Sequence, residues 1–235
     1  MKKGLILIAV IAAAAATFWA VQKFSAEPKP PAPAPKPPVD VAAVRTKAEA
    51  GDAAAQAQLG RLYAKGEGVT NSYTEAANWY RRAADQGNSE GQFGLGELYD
   101  AGRGVEQDAA EAVKYYLLAA NQGNVGAQYT LGFSYEAARG VPKDNVQAAK
   151  WFRLAAEQGD PFSQFDLGQR YELGLGVTAD RVEALKWYLI AAAQNQADSI
   201  RKVATLQREL TRDEIAEAKR RAAAFSPRTG LKPPL

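Results

Sequence analysis

The chain has 235 residues, 47% hydrophobic and 23% charged, with a formal net charge of +3 and neither histidine nor cysteine. That excludes imidazole acid–base catalysis, thiol nucleophiles and the usual zinc ligand sets. The net charge hides a division. Residues 52–195 carry 13 Lys and Arg against 18 Asp and Glu, and residues 196–235 carry 9 against 5.

Residues 4–21 form an uncharged apolar run preceded by Lys2 and Lys3, long enough to span a bilayer as a helix. Residues 1–25 therefore read as a signal anchor, with Trp19 near the interface and the N-terminus cytoplasmic. The alternative is a cleaved secretory signal using Ala14 and Ala16 as its small residues. That site lies inside the run rather than after it, which favours the anchor. Residues 26–40 hold Pro28, Pro30, Pro31, Pro33, Pro35, Pro37 and Pro38. Such a linker is an extended polyproline II spacer reaching about 40 Å. A P-x-x-P ligand is the sharper reading, but it needs a partner domain in the same compartment. Anchor, spacer and the domain that follows predict a single-pass bacterial inner-membrane protein facing the periplasm. With a cleaved signal the protein would be soluble in the periplasm or secreted.

Residues 41–51 read as a lone capping helix, with Asp40 as its cap and Gly51 as its stop. Residues 52–195 then repeat with a period of 36, in copies 52–87, 88–123, 124–159 and 160–195. Leu59-Gly60, Leu95-Gly96, Leu131-Gly132 and Leu167-Gly168 recur in register, as do Tyr63, Tyr99, Tyr135 and Tyr171. So do Trp79, Tyr115, Trp151 and Trp187. A fixed period of this size marks an array in which each unit buries its apolar face against its neighbours.

Each copy reads as two helices. The first opens at Asp52, Asn88, Asn124 or Asp160, whose side chains can accept from the free N–H groups of the first turn. Pro161 suits the first helical position. The first helix stops at a G-x-G-V turn, except that Ala138 replaces the first glycine in the third copy. The second opens at Ser72, Asp108, Asp144 or Asp180, with Glu75, Glu111, Gln147 or Glu183 three residues on. That spacing predicts capping boxes with reciprocal bonds. It ends at Gly87, Gly123 and Gly159. Gly60, Gly96, Gly132 and Gly168 lie inside the first helix, where glycine costs roughly 1 kcal/mol against alanine. The expected return is close approach of the second helix, to which the paired alanines (Ala83-Ala84 and their copies) contribute.

Residues 196–225 look like a degenerate capping repeat, with Val203-Ala204 in place of Leu-Gly and a capping box at Thr211–Glu214. Residues 226–235 are expected to be a disordered tail. The basic residues Arg201, Lys202, Arg208, Lys219, Arg220 and Arg221 are spread over two helices rather than one aromatic-studded stripe, so no nucleic-acid partner is expected.

The pattern A-x-Q-x-L-G-x-x-Y, then G-x-G-V, then A-x-x-W-[YF]-x-x-A-A-x-x-G resembles the Sel1-like repeat, a relative of the tetratricopeptide repeat. The resemblance covers residues 52–195. It implies an all-α, right-handed solenoid of helix pairs that serves as an adaptor or scaffold for protein complexes. Family members that staple each repeat with a disulfide are excluded by the absence of cysteine.

On a helical wheel with Leu59 at the origin, positions 54, 57, 61, 64 and 65 fall opposite it. The resemblance places that side on a concave groove. Position 57 reads Ala57, Phe93, Tyr129 and Phe165, position 61 reads Arg61, Glu97, Phe133 and Gln169, and position 54 adds Phe162. Open aromatics suggest a groove for a peptide or helix. Arg61, Phe93, Glu97, Tyr129, Phe133, Phe162, Phe165 and Gln169 are thus the candidate peptide-binding residues. The opposing reading packs these aromatics against the next repeat. No G-x-S-x-G nucleophile is present, and the G-x-G turns lie between helices rather than after a strand. Glu97, Glu136 and Glu172 read as solvated surface acids. The expectation is a non-enzymatic scaffold without metal or cofactor. The alternative is a cell-envelope protein that binds peptidoglycan or another polysaccharide.

Overall fold

The computed structural model describes residues 39–233. The N-terminal apolar run and nearly all of the proline-rich linker lie outside the described residues. Within those described, every regular element is a helix: α1 (Val41–Glu49), α2 (Ala53–Lys65), α3 (Tyr73–Asp85), α4 (Ser89–Ala101), α5 (Ala109–Ala120), α6 (Val125–Ala137), α7 (Asn145–Glu157), α8 (Pro161–Leu173), α9 (Arg181–Ala193), α10 (Ala197–Glu209) and α11 (Arg212–Ala223). None of these is long and apolar enough to cross a membrane. Each helix from α1 to α9 packs on the next, α2 also touches α4, and α11 packs on α9. Contacts between sequence neighbours make a solenoid.

The core repeats with the sequence. Leu59, Leu95, Leu131 and Leu167 are fully buried, each the kind of residue whose truncation to alanine costs about 2–5 kcal/mol. The in-helix glycines face an aromatic ring of the paired second helix. A Cβ at Gly60, Gly96, Gly132 or Gly168 would lie 2.8, 2.7, 2.6 or 2.6 Å from Tyr80, Tyr116, Phe152 or Tyr188. Close approach is therefore the reason for the glycines, and the ring rather than the alanine pair is what approaches.

Asp52, Asn88, Asn124 and Asp160 cap the first helices by accepting the N–H three residues on, at 2.9, 2.9, 2.9 and 2.6 Å. The second helices are capped by Ser72, Asp108, Asp144 and Asp180, but the expected reciprocal bonds do not form. The backbone N–H of each of these caps donates instead to the carbonyl of Tyr63, Tyr99, Tyr135 or Tyr171, at 3.1, 3.0, 2.9 and 2.9 Å. The last turn of the first helix satisfies that N–H, so the Glu or Gln three residues on is released. A complete capping box exists at Thr211 and Glu214. Ala138 adopts the same left-handed conformation, φ 57°, as the glycines it replaces.

The C-terminal segment, expected to be disordered, lies against the array instead. Just before it, Phe225 packs on Trp187 with ring centroids 5.5 Å apart. The Arg228 N–H donates to the Glu157 carbonyl at 2.9 Å, and the Arg228 and Glu157 side chains form an ion pair at 2.5 Å. The N–H groups of Gly230 and Leu231 donate to Gln158 Oε1 at 2.6 and 3.2 Å. Local composition gave no hint of this, because Glu157 and Gln158 lie about 70 residues upstream.

Candidate functional site

The first helices α2, α4, α6 and α8 carry the predicted site residues. Arg61, Glu97 and Phe133 are exposed, and Gln169 is half-buried. The other column sits lower: Ala57 is buried and Phe93, Tyr129 and Phe165 are half-buried. Their rings rest on the second-helix ring of their own repeat, Phe93 on Tyr116 at 5.8 Å, Tyr129 on Phe152 at 5.9 Å and Phe165 on Tyr188 at 5.7 Å. Phe93 also reaches the next repeat, where a Cβ on Gly126 would meet it at 3.0 Å. A wheel for one helix could not foresee this, because the floor comes from the second helix through the gap left by the in-helix glycine.

Two adjoining groups result. Between α2 and α4 is a cavity of about 740 Å³ whose lining includes Arg61, Lys65, Tyr80, Phe93 and Glu97. Beside it, Tyr129 meets Phe133 edge-on at 5.0 Å and Phe162 at 6.3 Å, and Phe133 meets Phe152 at 5.3 Å. Phe133 and Phe162 stand out of this cluster at 40% and 58% exposure. Phe165 and Gln169 belong to neither group.

Acidic groups crowd one another at two places on this face, around Asp166 and around Glu97. Burial first, then the neighbouring Glu136, push the Asp166 carboxyl up to about 7 against the pull of Arg170. Burial and the charges of Asp166, Asp160 and Glu136 push the Tyr129 phenol up to about 12. Desolvation, then Glu90 and Asp100, raise Glu97. Like charges gathered in a partly desolvated groove disfavour one another and favour a cationic visitor.

The remaining acids of the first helices have structural partners. Glu136 accepts from Arg170 at 2.9 Å, and Glu172 accepts from Tyr188 and Lys202 at 2.6 and 2.8 Å. Arg170 is a buried residue that sequence reasoning passed over. It is 2% exposed, its guanidinium lies 4.6 Å above the Phe152 ring, and its Nε and Nη1 have no hydrogen-bond partner among the described residues. The signal was available, since its column reads Leu62, Leu98, Ser134, Arg170. Asp166 and the rings after the conserved-position Trp or Tyr (Tyr80, Tyr116, Phe152, Tyr188) were likewise legible only as a column, not as a site.

A second surface runs along the edge where second helices end. Gln86, Gln122, Gln158 and Gln194 each donate through Nε2 to Gln56, Gln92, Gln128 and Gln164, at 2.7, 2.7, 2.8 and 2.9 Å. This glutamine ladder cross-links the start of each first helix to the end of its second. The C-terminal segment sits on its third rung, where Gln128 Nε2 also donates to the Leu231 carbonyl at 2.6 Å.

The Sel1 repeat family model matches residues 53–88, 89–124, 125–160 and 161–196. Among solved structures, the chain is similar to a protective antigen of uropathogenic Escherichia coli strains with an SLR fold. There the identity is 40% over 79% of this chain and 41% of that one, with a TM-score of 0.71. A Sel1 repeat protein from Oxalobacter formigenes is 30% identical over 79% of this chain and 78% of that one, with a TM-score of 0.67. The chain thus spans about two-fifths of the first of these proteins. No curated protein matches it. Four matched repeats, with the helix pairs and in-helix glycines that accompany them, place the chain in the Sel1 repeat family, whose members generally mediate protein–protein interaction.

Proposed function

We propose that this protein is a non-enzymatic scaffold whose first-helix face holds a segment of a protein partner. The observation that carries the reading is Phe133 and Phe162, exposed on a packed aromatic floor next to a cavity lined by Glu90 and Glu97 together with Arg61, Lys65 and Arg103. Large aromatics that fold packing leaves open are the anchors on which interfaces concentrate their binding energy. The raised Asp166 and Glu97 favour a segment with lysine or arginine beside apolar residues. Cation–π contact with Phe133 or Phe162 would add about 0.5–1 kcal/mol per cation. The apolar run at residues 4–21 and the prolines of residues 26–40 support a tether to the inner membrane, with the array in the periplasm.

The test is quantitative binding of the partner segment to the full chain. Phe133→Ala with Phe162→Ala should weaken it at least tenfold, about 1.4 kcal/mol or more, and raising salt should weaken it further. Unchanged affinity in the double variant contradicts the reading. Retention of the chain on purified sacculi, lost in the same variant, would move the assignment to a polysaccharide.

A further inference from the structure

The C-terminal segment reveals what the glutamine ladder can hold. Its third rung is a complete seat for an extended chain. Pro227 lies on Gly159, Arg228 pairs with Glu157, Gly230 lies on Gly123, and Gln158 and Gln128 bracket Gly230 and Leu231 with an acceptor and a donor. Every array residue in these contacts has a counterpart two repeats upstream. Moving back 72 residues gives Gly87, Asp85, Gly51, Gln86 and Gln56. The first rung therefore repeats the third, acid included. The second and fourth do not, since Asn121 and Ala193 stand at the acidic position.

The first rung is built in the same way. Gln86 donates to Gln56 at 2.7 Å, and Gln56 Nε2 donates to the Ala48 carbonyl at 3.0 Å, as Gln128 does to that of Ala120 at 3.1 Å. Asp85 ends α3 as Glu157 ends α7. Nothing among the described residues covers it. Gly51 and Gly87 are exposed, with no atom within 4 Å of a Cβ built on either, whereas Gly123 is buried beneath Gly230. The described residues hold two such seats and one segment that fills a seat.

We propose that Gly51, Gln56, Asp85, Gln86 and Gly87 form a second peptide seat, for an extended segment of a partner protein carrying arginine two residues ahead of Gly-Leu. The backbone of that segment would give N–H groups to Gln86 Oε1 and take one from Gln56 Nε2. Its arginine would pair with Asp85, Gly51 has no Cβ to hold the segment's backbone away, and glycine suits the place opposite it because Gly230 takes a left-handed φ of 69° in the occupied seat. The surface is separate from the aromatic face, so the two assignments stand or fall independently.

The probe is a synthetic peptide of residues 226–235, SPRTGLKPPL, titrated into the full chain in detergent to millimolar concentration. Side-chain amide resonances provide the readout. The expected result is saturable shifts at Gln56 and Gln86, one peptide per chain, with Gln158 unmoved. Gln86→Ala should abolish them. A peptide with alanine for arginine should bind about threefold more weakly, as for an exposed ion pair. Three results would overturn the proposal: no shift at Gln56 and Gln86 at millimolar peptide, shifts confined to Gln128 and Gln158 as the peptide displaces the tail, or concentration-dependent shifts at Gln86 without peptide, which give the seat to a second copy of this chain.

Discussion

At the scale of single residues, two departures from the repeat pattern have measurable consequences. Ala138 holds a left-handed backbone, φ 57°, at a helix stop where Gly66, Gly102 and Gly174 stand in the other copies. That conformation costs a residue with a Cβ roughly 1–2 kcal/mol, against which glycine loses somewhat more chain entropy on folding. Ala138→Gly should therefore raise stability by about 0.5–1 kcal/mol in urea unfolding. The second departure is Asp166, whose carboxyl is lifted from 3.8 to about 7 by burial and by Glu136. Its folded pKa lies above its unfolded one, so the folded state binds the extra proton between the two. The slope of stability with pH is then negative: this group's contribution is full below about pH 4 and is lost as pH rises through about 7. Asp166→Asn should flatten that fall, and the variant should gain on the wild type between pH 5 and pH 8. Equal slopes in the two proteins would contradict the assignment.

At the scale of elements, the C-terminal strap is the feature that joins distant parts. Gln158 serves it twice over, donating to Gln128 and to the Gly123 carbonyl while accepting from Gly230 and Leu231. Gln158→Ala should lower stability by about 1–3 kcal/mol and release the amides of Gly230 and Leu231 to rapid hydrogen exchange. Gln122→Ala, on a rung that the strap does not use, should leave those two amides protected. Helix limits could be read from the sequence, because caps and glycine stops act within a turn. The reciprocal halves of the capping boxes could not, because a tyrosine carbonyl nine residues earlier competes for the same N–H. Nor could the strap: its order comes from Glu157, Gln158 and Gln128, while Pro227, Gly230 and Pro233 signal only local irregularity.

At the scale of the whole molecule, four helix pairs present one face of first helices, and the choice of that face is the central claim. The sequence columns drew that face too flat. Phe93, Tyr129 and Phe165 form its floor, and Phe133 and Phe162 rise from it. The depth was hidden because it depends on which second-helix ring fits beneath Gly96, Gly132 or Gly168. The exposed apolar residues also include Leu118, 50% exposed on α5, a second helix. It supplies an internal control of similar exposure on the other side of the repeat. The most direct measurement is site-specific photocrosslinking in cells, with the reactive residue at Phe162 in one strain and at Leu118 in another. A discrete adduct from Phe162 that is absent from Leu118 and lost when Phe133→Ala is added is the predicted result. Equal adducts from both sites, or an adduct from Leu118 alone, would place the partner elsewhere and contradict the account.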